Sequence, residues 1–131
     1  VRLLLDTHVW LWTLTDPDQL GRRARSAVAR ASNELWLSPI STWELLVLAE
    51  RGRVTLDEEP GRWAREALQR SPVRAAPLTH EVAVQSRELA PSHSDPADRL
   101  IMATARVHEL TLVTADEHLL DLRLCPLLSA R

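Results

Sequence analysis

Short apolar runs recur along the chain, each stopped by a polar residue and each followed by a stretch with helical spacing. Residues 2–5 form the first run, which ends abruptly at Asp6. A run without alternation suits a strand buried on both faces, as in a parallel sheet. Val9, Trp10, Leu11 and Leu14 then share the broad face of a short helix that Asp16-Pro17-Asp18 breaks. Residues 21–31 are rich in arginine with alanines and Val28 between, the pattern of an amphipathic surface helix. Residues 34–38 (ELWLS) give a second strand, and Ser41-Thr42-Trp43-Glu44 opens a strongly apolar helix closed by Gly52.

The second half repeats the alternation. A more polar helix starts at Pro60 or Gly61 and runs to Arg70, with Trp63, Ala67 and Leu68 inward. Residues 73–78 carry a third strand, with Pro77 at its end. Thr79 caps a helix reaching Leu89, and a loop at 90–92 follows. The stretch HSDPADRLIMATARVHEL, residues 93–110, is the most organised. Asp95 sits at an N-cap, Pro96 at the first helical position and Asp98 at the third, ahead of Leu100, Ile101, Ala103, Thr104, Ala105 and Val107. A strand at 110–114, a short helix at 117–120 and a last strand at 123–127 complete the chain. Strands separated by helices predict an α/β fold around a mostly parallel sheet of four to five short strands.

Composition narrows the class. A chain of 131 residues with 45% apolar content predicts one globular domain over 1–131 and excludes disorder. A net charge of -2 argues against a DNA-coating protein. All 16 basic residues are arginines. Cys125 stands alone, so neither an intrachain disulfide nor a thiolate metal cage forms. No signal peptide or membrane-length apolar run is present, and a cytoplasmic location is the expectation.

The candidate chemistry is acidic. In open α/β sheets the functional crevice lies outside the carboxyl ends of the strands, where strand order switches. Asp6 and Asp116 end two strands there, and the helices bearing Glu44 and Asp98 begin at the same edge. Two carboxylates about 4 Å apart repel by roughly 4 kcal/mol at an effective dielectric near 20. Such a group therefore either protonates or takes up a hard divalent cation, Mg²⁺ or Mn²⁺ rather than zinc. Each acid also has a structural explanation. Glu44 is the third-position partner in a Ser41-x-x-Glu44 capping box, Asp98 complements a helix dipole, and Asp116 starts a turn. Asp95 is assigned as an N-cap and nothing more.

Together these stretches resemble a known family. LLLDTHVWLW, then STWE, then Leu89, Ala90 and Pro91 with His93, then DPADR and LVTAD are similar in order and spacing to PIN-domain ribonucleases, above all the VapC-type toxins of bacterial toxin–antitoxin pairs. The resemblance spans residues 3–120. It implies a three-layer α/β/α fold and a Mg²⁺- or Mn²⁺-dependent endoribonuclease that leaves a 5′-phosphate and a 3′-hydroxyl. Asp6, Glu44, Asp98 and Asp116 match the family's acidic quartet, with Asp6 and Asp98 holding the metal most directly and Glu44 and Asp116 acting directly or through water. Arg99, beside the site, meets a substrate phosphate or pairs with a neighbouring acid. An antitoxin of the VapB type, its tail in a hydrophobic groove, and homodimerisation are implied as well. Leu48, where many relatives have lysine, and Ala97, in place of a common phenylalanine, depart from the pattern without removing a ligand.

Other side chains invite assignment. His8 and His93 take helix-start and loop roles; the tryptophans pack cores or interfaces, with Trp10 and Trp12 on different sides of one helix. Arg22, Arg23, Arg25 and Arg30 form a solvated face or a phosphate-guiding rim. A response-regulator receiver needs a lysine this chain lacks, and dinucleotide binding needs a glycine-rich turn after the first strand. Two alternatives survive: a PIN nuclease of RNA processing that works without an antitoxin, and a non-catalytic PIN-like binding module.

Overall fold

The computed structural model describes residues 1–89 and 92–131. Strands β1 (Arg2–Leu5), β2 (Glu34–Leu37), β3 (Val73–Ala75), β4 (Thr111–Thr114) and β5 (Leu127–Ser129) pair in the order β3-β2-β1-β4-β5. Every pairing is parallel. Seven helices are seen among the described residues: α1 (Thr7–Thr15), α2 (Arg22–Ala29), α3 (Pro39–Glu50), α4 (Pro60–Arg70), α5 (His80–Glu88), α6 (Pro96–Val107) and α7 (Glu117–Leu122). None is long and apolar enough to cross a membrane.

The sheet is covered on both faces, which explains why its strands are continuously apolar. Side chains alternate along a strand, so Leu3 and Leu5 join Val113, Val9, Trp10, Leu45 and Trp63 in one core. Leu4 and Leu112 join Ile101, Met102, Ala105 and Leu119 in the other. The three layers are thus helices, sheet and helices. From β1 the chain builds outward to β2 and β3, then returns to place β4 on the other side of β1. The order reverses between β1 and β4, the position where such sheets open a crevice at their carboxyl ends.

Several expectations shift. β3 stops at Ala75, short of Pro77. The last strand starts at Leu127 rather than 123, because Arg123 closes α7 in a left-handed conformation (φ 52°) and Pro126 has no N–H to pair. α3 begins at Pro39, and its cap is Ser38, whose hydroxyl accepts from the Ile40 N–H at 3.1 Å. Ser41 is buried within the helix, so the Ser41-x-x-Glu44 capping box does not exist. Gly52 (φ 68°) does end α3 as expected: Arg53 N–H reaches the Leu48 carbonyl at 2.9 Å and Gly52 N–H reaches Ala49 at 3.1 Å. The loop expected at 90–92 lies outside the described residues at 90 and 91.

Trp10 and Trp63 meet edge-on in the core, centroids 6.1 Å apart. Trp12, by contrast, lies under the Arg131 guanidinium at 5.3 Å, and Trp36 under that of Arg74 at 5.8 Å. Trp43 is exposed.

Candidate active site

Asp6, Asp98 and Asp116 reach the crevice from a helix start or a strand end and Glu44 from the second turn of α3, and each is held by a specific donor. Asp6 follows β1 and caps α1: one carboxylate oxygen accepts from the Thr7 N–H at 2.8 Å and the other from the Thr114 hydroxyl at 2.7 Å. The same Thr114 oxygen accepts from the Asp116 N–H at 3.1 Å, so β4 ties the two strand-end acids together. Asp116 caps α7, accepting from His118 N–H at 2.9 Å and Leu119 N–H at 3.4 Å. Glu44, carried by α3, accepts from the Thr7 hydroxyl at 2.5 Å. With the capping box gone, that contact across to α1 is what fixes Glu44.

The mouth of α6 completes the group. Asp95 caps the helix as expected, accepting from the Ala97 N–H at 2.9 Å and the Asp98 N–H at 3.3 Å. It does more than cap, however: oxygens of Glu44, Asp95 and Asp98 all lie within 4.8 Å of one another. A cavity of about 330 Å³ is lined by Asp6, His8, Glu44, Asp95, Asp98, Ala115 and Asp116. All four candidate acids therefore open onto one space, with Asp95 as a fifth.

Electrostatics bear the mark of crowding. Burial holds the Asp6 carboxyl above its ordinary pKa, against the Thr114 and Thr7 donors that lower it. Burial likewise raises Glu44, with the charges of Asp6 and Asp95 adding to the effect. Asp98 is pushed up to about 6, first by burial and then by the charges of Asp95, Asp6 and Asp116. Among the described residues no arginine pairs with these carboxylates; the one side-chain nitrogen that meets them is His93 Nε2, 3.0 Å from Asp98. Oxygen donors that repel one another, fixed from outside by neutral hydroxyls, fit a hard divalent cation.

Arg99 is a correction. It faces away from the cavity, and its guanidinium donates to the carbonyls of Ser86 at 2.7 Å, Arg87 at 2.9 Å and His93 at 3.3 Å. Ser86 and Arg87 lie in the last turn of α5, whose carbonyls have no intrahelical partner. A buried cation there also complements the helix dipole. Among the described residues Arg99 thus pairs with no acid and does not line the cavity.

Thr7, Thr114 and His93 were not singled out as site residues by the sequence. The only signal for the threonines is adjacency, since Thr7 follows Asp6 and Thr114 precedes Ala115-Asp116 in stretches already marked by family resemblance.

A second cavity, apolar and larger at about 570 Å³, lies between α3, α4 and the edge strand β3. It is lined by Leu37, Trp43, Leu46, Leu68 and Val73 among others.

Comparison with known proteins agrees with this architecture. The PIN domain family model matches residues 3–123. Ribonuclease VapC22 of Mycobacterium tuberculosis (strain ATCC 25618 / H37Rv) is 39% identical over 118 residues, covering 89% of this chain and 88% of that protein. Among solved structures, the fold resembles VapBC2 from Rickettsia felis bound to a DNA fragment from its promoter (TM-score 0.73, 16% identity, 100% of both chains). It also resembles VapBC-1 from nontypeable Haemophilus influenzae (TM-score 0.71, 14% identity, 98% of both chains).

Proposed function

This chain belongs to the PIN-domain family, among its VapC-type ribonucleases, and from that membership we propose that it is a metal-dependent endoribonuclease, the toxin of a toxin–antitoxin pair, cleaving RNA at the acidic cavity. The observation that carries the assignment is the convergence of Asp6, Glu44, Asp98 and Asp116 from four separate places in the chain, with no arginine to neutralise them among the described residues. Asp6 and Asp98 hold the cation, Mg²⁺ or Mn²⁺, most directly; Glu44 and Asp116 complete the site directly or through water. When bound, a divalent cation offsets charge on the phosphate oxygens and makes water a better nucleophile. The protein's own part is orientation. Thr114 and the Thr7 N–H hold Asp6, and the Thr7 hydroxyl holds Glu44, so the carboxylates are set before substrate arrives.

A VapB-like antitoxin is the partner in this assignment, and a second copy of the chain forms a homodimer with it. The apolar groove beside α3 supports the first, because Trp43, 56% exposed, offers an aromatic anchor of the kind that dominates protein interfaces. A cytoplasmic location belongs to the same reading, supported by an RNA substrate and by the absence of a membrane-spanning helix among the described residues.

The test is cleavage of an end-labelled RNA pool by the purified, antitoxin-free chain, with Mn²⁺ or Mg²⁺, with EDTA, and with Asp98→Asn alongside. Cation-dependent products carrying 5′-phosphates, lost in Asp98→Asn, are the expected result. A folded, cation-loaded protein that cuts nothing would favour a binding module, and cutting that survives Asp98→Asn would place the chemistry elsewhere.

A further inference from the structure

His93 stands just ahead of α6 and is buried, at 7% exposure. Its Nε2 lies 3.0 Å from Asp98 Oδ2. An ionised carboxylate only accepts, so the imidazole N–H donates. The other ring nitrogen, Nδ1, is buried with no hydrogen-bond partner among the described residues. Among the described residues the bond to Asp98 is therefore the one polar contact that offsets the cost of burying this ring. His118, at the start of α7, closes over it edge-on, with centroids 4.6 Å apart and planes at 82°.

The backbone of His93 is fixed separately. Arg99 donates to its carbonyl at 3.3 Å while bonding the last turn of α5. Asp98 and Arg99 are consecutive, so one turn of α6 grips His93 by its ring and by its main chain. No such care is needed for a side chain that merely fills a loop. It is what a carboxylate requires if its orientation matters while three other acids repel it.

We propose that His93 is a positioning residue of the cation site. It holds Oδ2 of Asp98 and leaves Oδ1 to ligate, and Arg99 acts on the site only by holding His93. This deepens the nuclease assignment and rests on the acidic cavity being the cation site. Ligating carboxylates depend on such outer partners, whose loss typically weakens metal binding.

The experiment is Mn²⁺ binding by isothermal titration calorimetry to the purified wild-type chain, His93→Asn, His93→Gln and Asp98→Asn. A glutamine amide nitrogen reaches as far as Nε2, whereas that of asparagine stops at the Nδ1 position. His93→Asn is expected to weaken Mn²⁺ by about 10–100-fold, His93→Gln to recover most of that loss, and Asp98→Asn to bind least. Thermal melts in EDTA check that each variant folds. If both His93 variants bind as the wild type does while Asp98→Asn fails, or if Gln loses as much as Asn, His93 only packs and the proposal is wrong. A wild-type chain that binds no Mn²⁺ would take down the cation site itself, and this role with it. Should both His93 variants unfold, imidazole ¹⁵N NMR of the wild type decides: protonation at Nε2 is expected, and a neutral ring protonated at Nδ1 instead cannot donate to Asp98 and overturns the proposal.

Discussion

Two cavities flank helix α3, and they are built from opposite chemistry. One, about 330 Å³, gathers carboxylates at the carboxyl ends of β1 and β4; the other, about 570 Å³, is an apolar trough along α4 and the edge strand β3. The consecutive residues Trp43 and Glu44 divide between them, Trp43 to the trough and Glu44 to the acids. Size favours the trough as a ligand site, but its lining is mostly apolar, with Arg74 its one charged side chain and no carboxylate. The acidic cavity holds partly buried carboxylates kept in place against their mutual repulsion. Volume thus marks where something large can dock, whereas electrostatic tension marks where chemistry is done. Because one helix lines both, an occupant of the trough bears directly on the element that carries Glu44.

The largest expected effect separates the two. Asp98→Asn should reduce RNA cleavage by at least about a hundredfold, the order that one oriented electrostatic group is worth in an active site, and leave antitoxin binding unchanged in a pull-down. Equal loss of both would mean that the cavities are not independent. Arg99→Leu sharpens the boundary of the acidic site. It orphans carbonyls of Ser86, Arg87 and His93 and should cost about 3–5 kcal/mol in a urea melt. A phosphate-binding arginine would instead leave stability intact and raise KM alone.

Acidity distinguishes the cavities next. The carboxyls of Asp6, Glu44 and Asp98 all lie above their ordinary values when folded, with Asp98 at about 6. A raised folded pKa means that the folded state binds the proton more tightly than the unfolded chain does. The stabilisation is complete below the unfolded value near 4 and is lost as pH rises through about 6. In EDTA the melting temperature should therefore gain from these groups as pH falls from 8 to 5, with Asp98 contributing at most about 1 kcal/mol over that window. Mn²⁺ should restore stability at pH 8 and do little at pH 5. A melting curve indifferent to Mn²⁺ at pH 8 would contradict the cation site. On the apolar side, Trp43→Ala should weaken the antitoxin by about 2 kcal/mol, a typical interfacial hot spot, and barely move either the melting temperature or the cleavage rate.

The fold was legible because a sheet buried on both faces writes its strands as apolar runs, and Thr79, Asp95 and Gly52 mark helix ends by mechanisms that act locally. Convergence of the acids was legible for the same reason: a parallel sheet delivers every strand end to one edge. What stayed hidden depends on contacts between distant parts of the chain. That Thr7 holds Glu44, Thr114 holds Asp6 and Arg99 closes α5 follows from packing between elements, which spacing along one element does not encode. Asp95 was placed correctly as a cap but was missed as a fifth acid, since its proximity to Glu44 exists only once α3 lies beside α6.

The start of α3 is the clearest local failure, and it yields the smallest prediction. Ser-x-x-Glu at 41–44 satisfies the capping-box pattern, yet Ser38-Pro39 three residues earlier is the real entry, because proline is preorganised for the first helical position and leaves no N–H to satisfy. Two serines of one helix therefore differ in what they do. Ser38 satisfies the Ile40 N–H, and Ser38→Ala should cost about 1 kcal/mol. The Ser41 hydroxyl is buried with no partner among the described residues. Ser41→Ala removes an unsatisfied polar group and should be neutral or stabilising. If urea melts ranked the two in the opposite order, α3 would begin where the motif suggested. Glu44 would then belong to a helix cap and no longer to the acidic cavity, and the contrast between the two flanks of α3 would lose one of its sides.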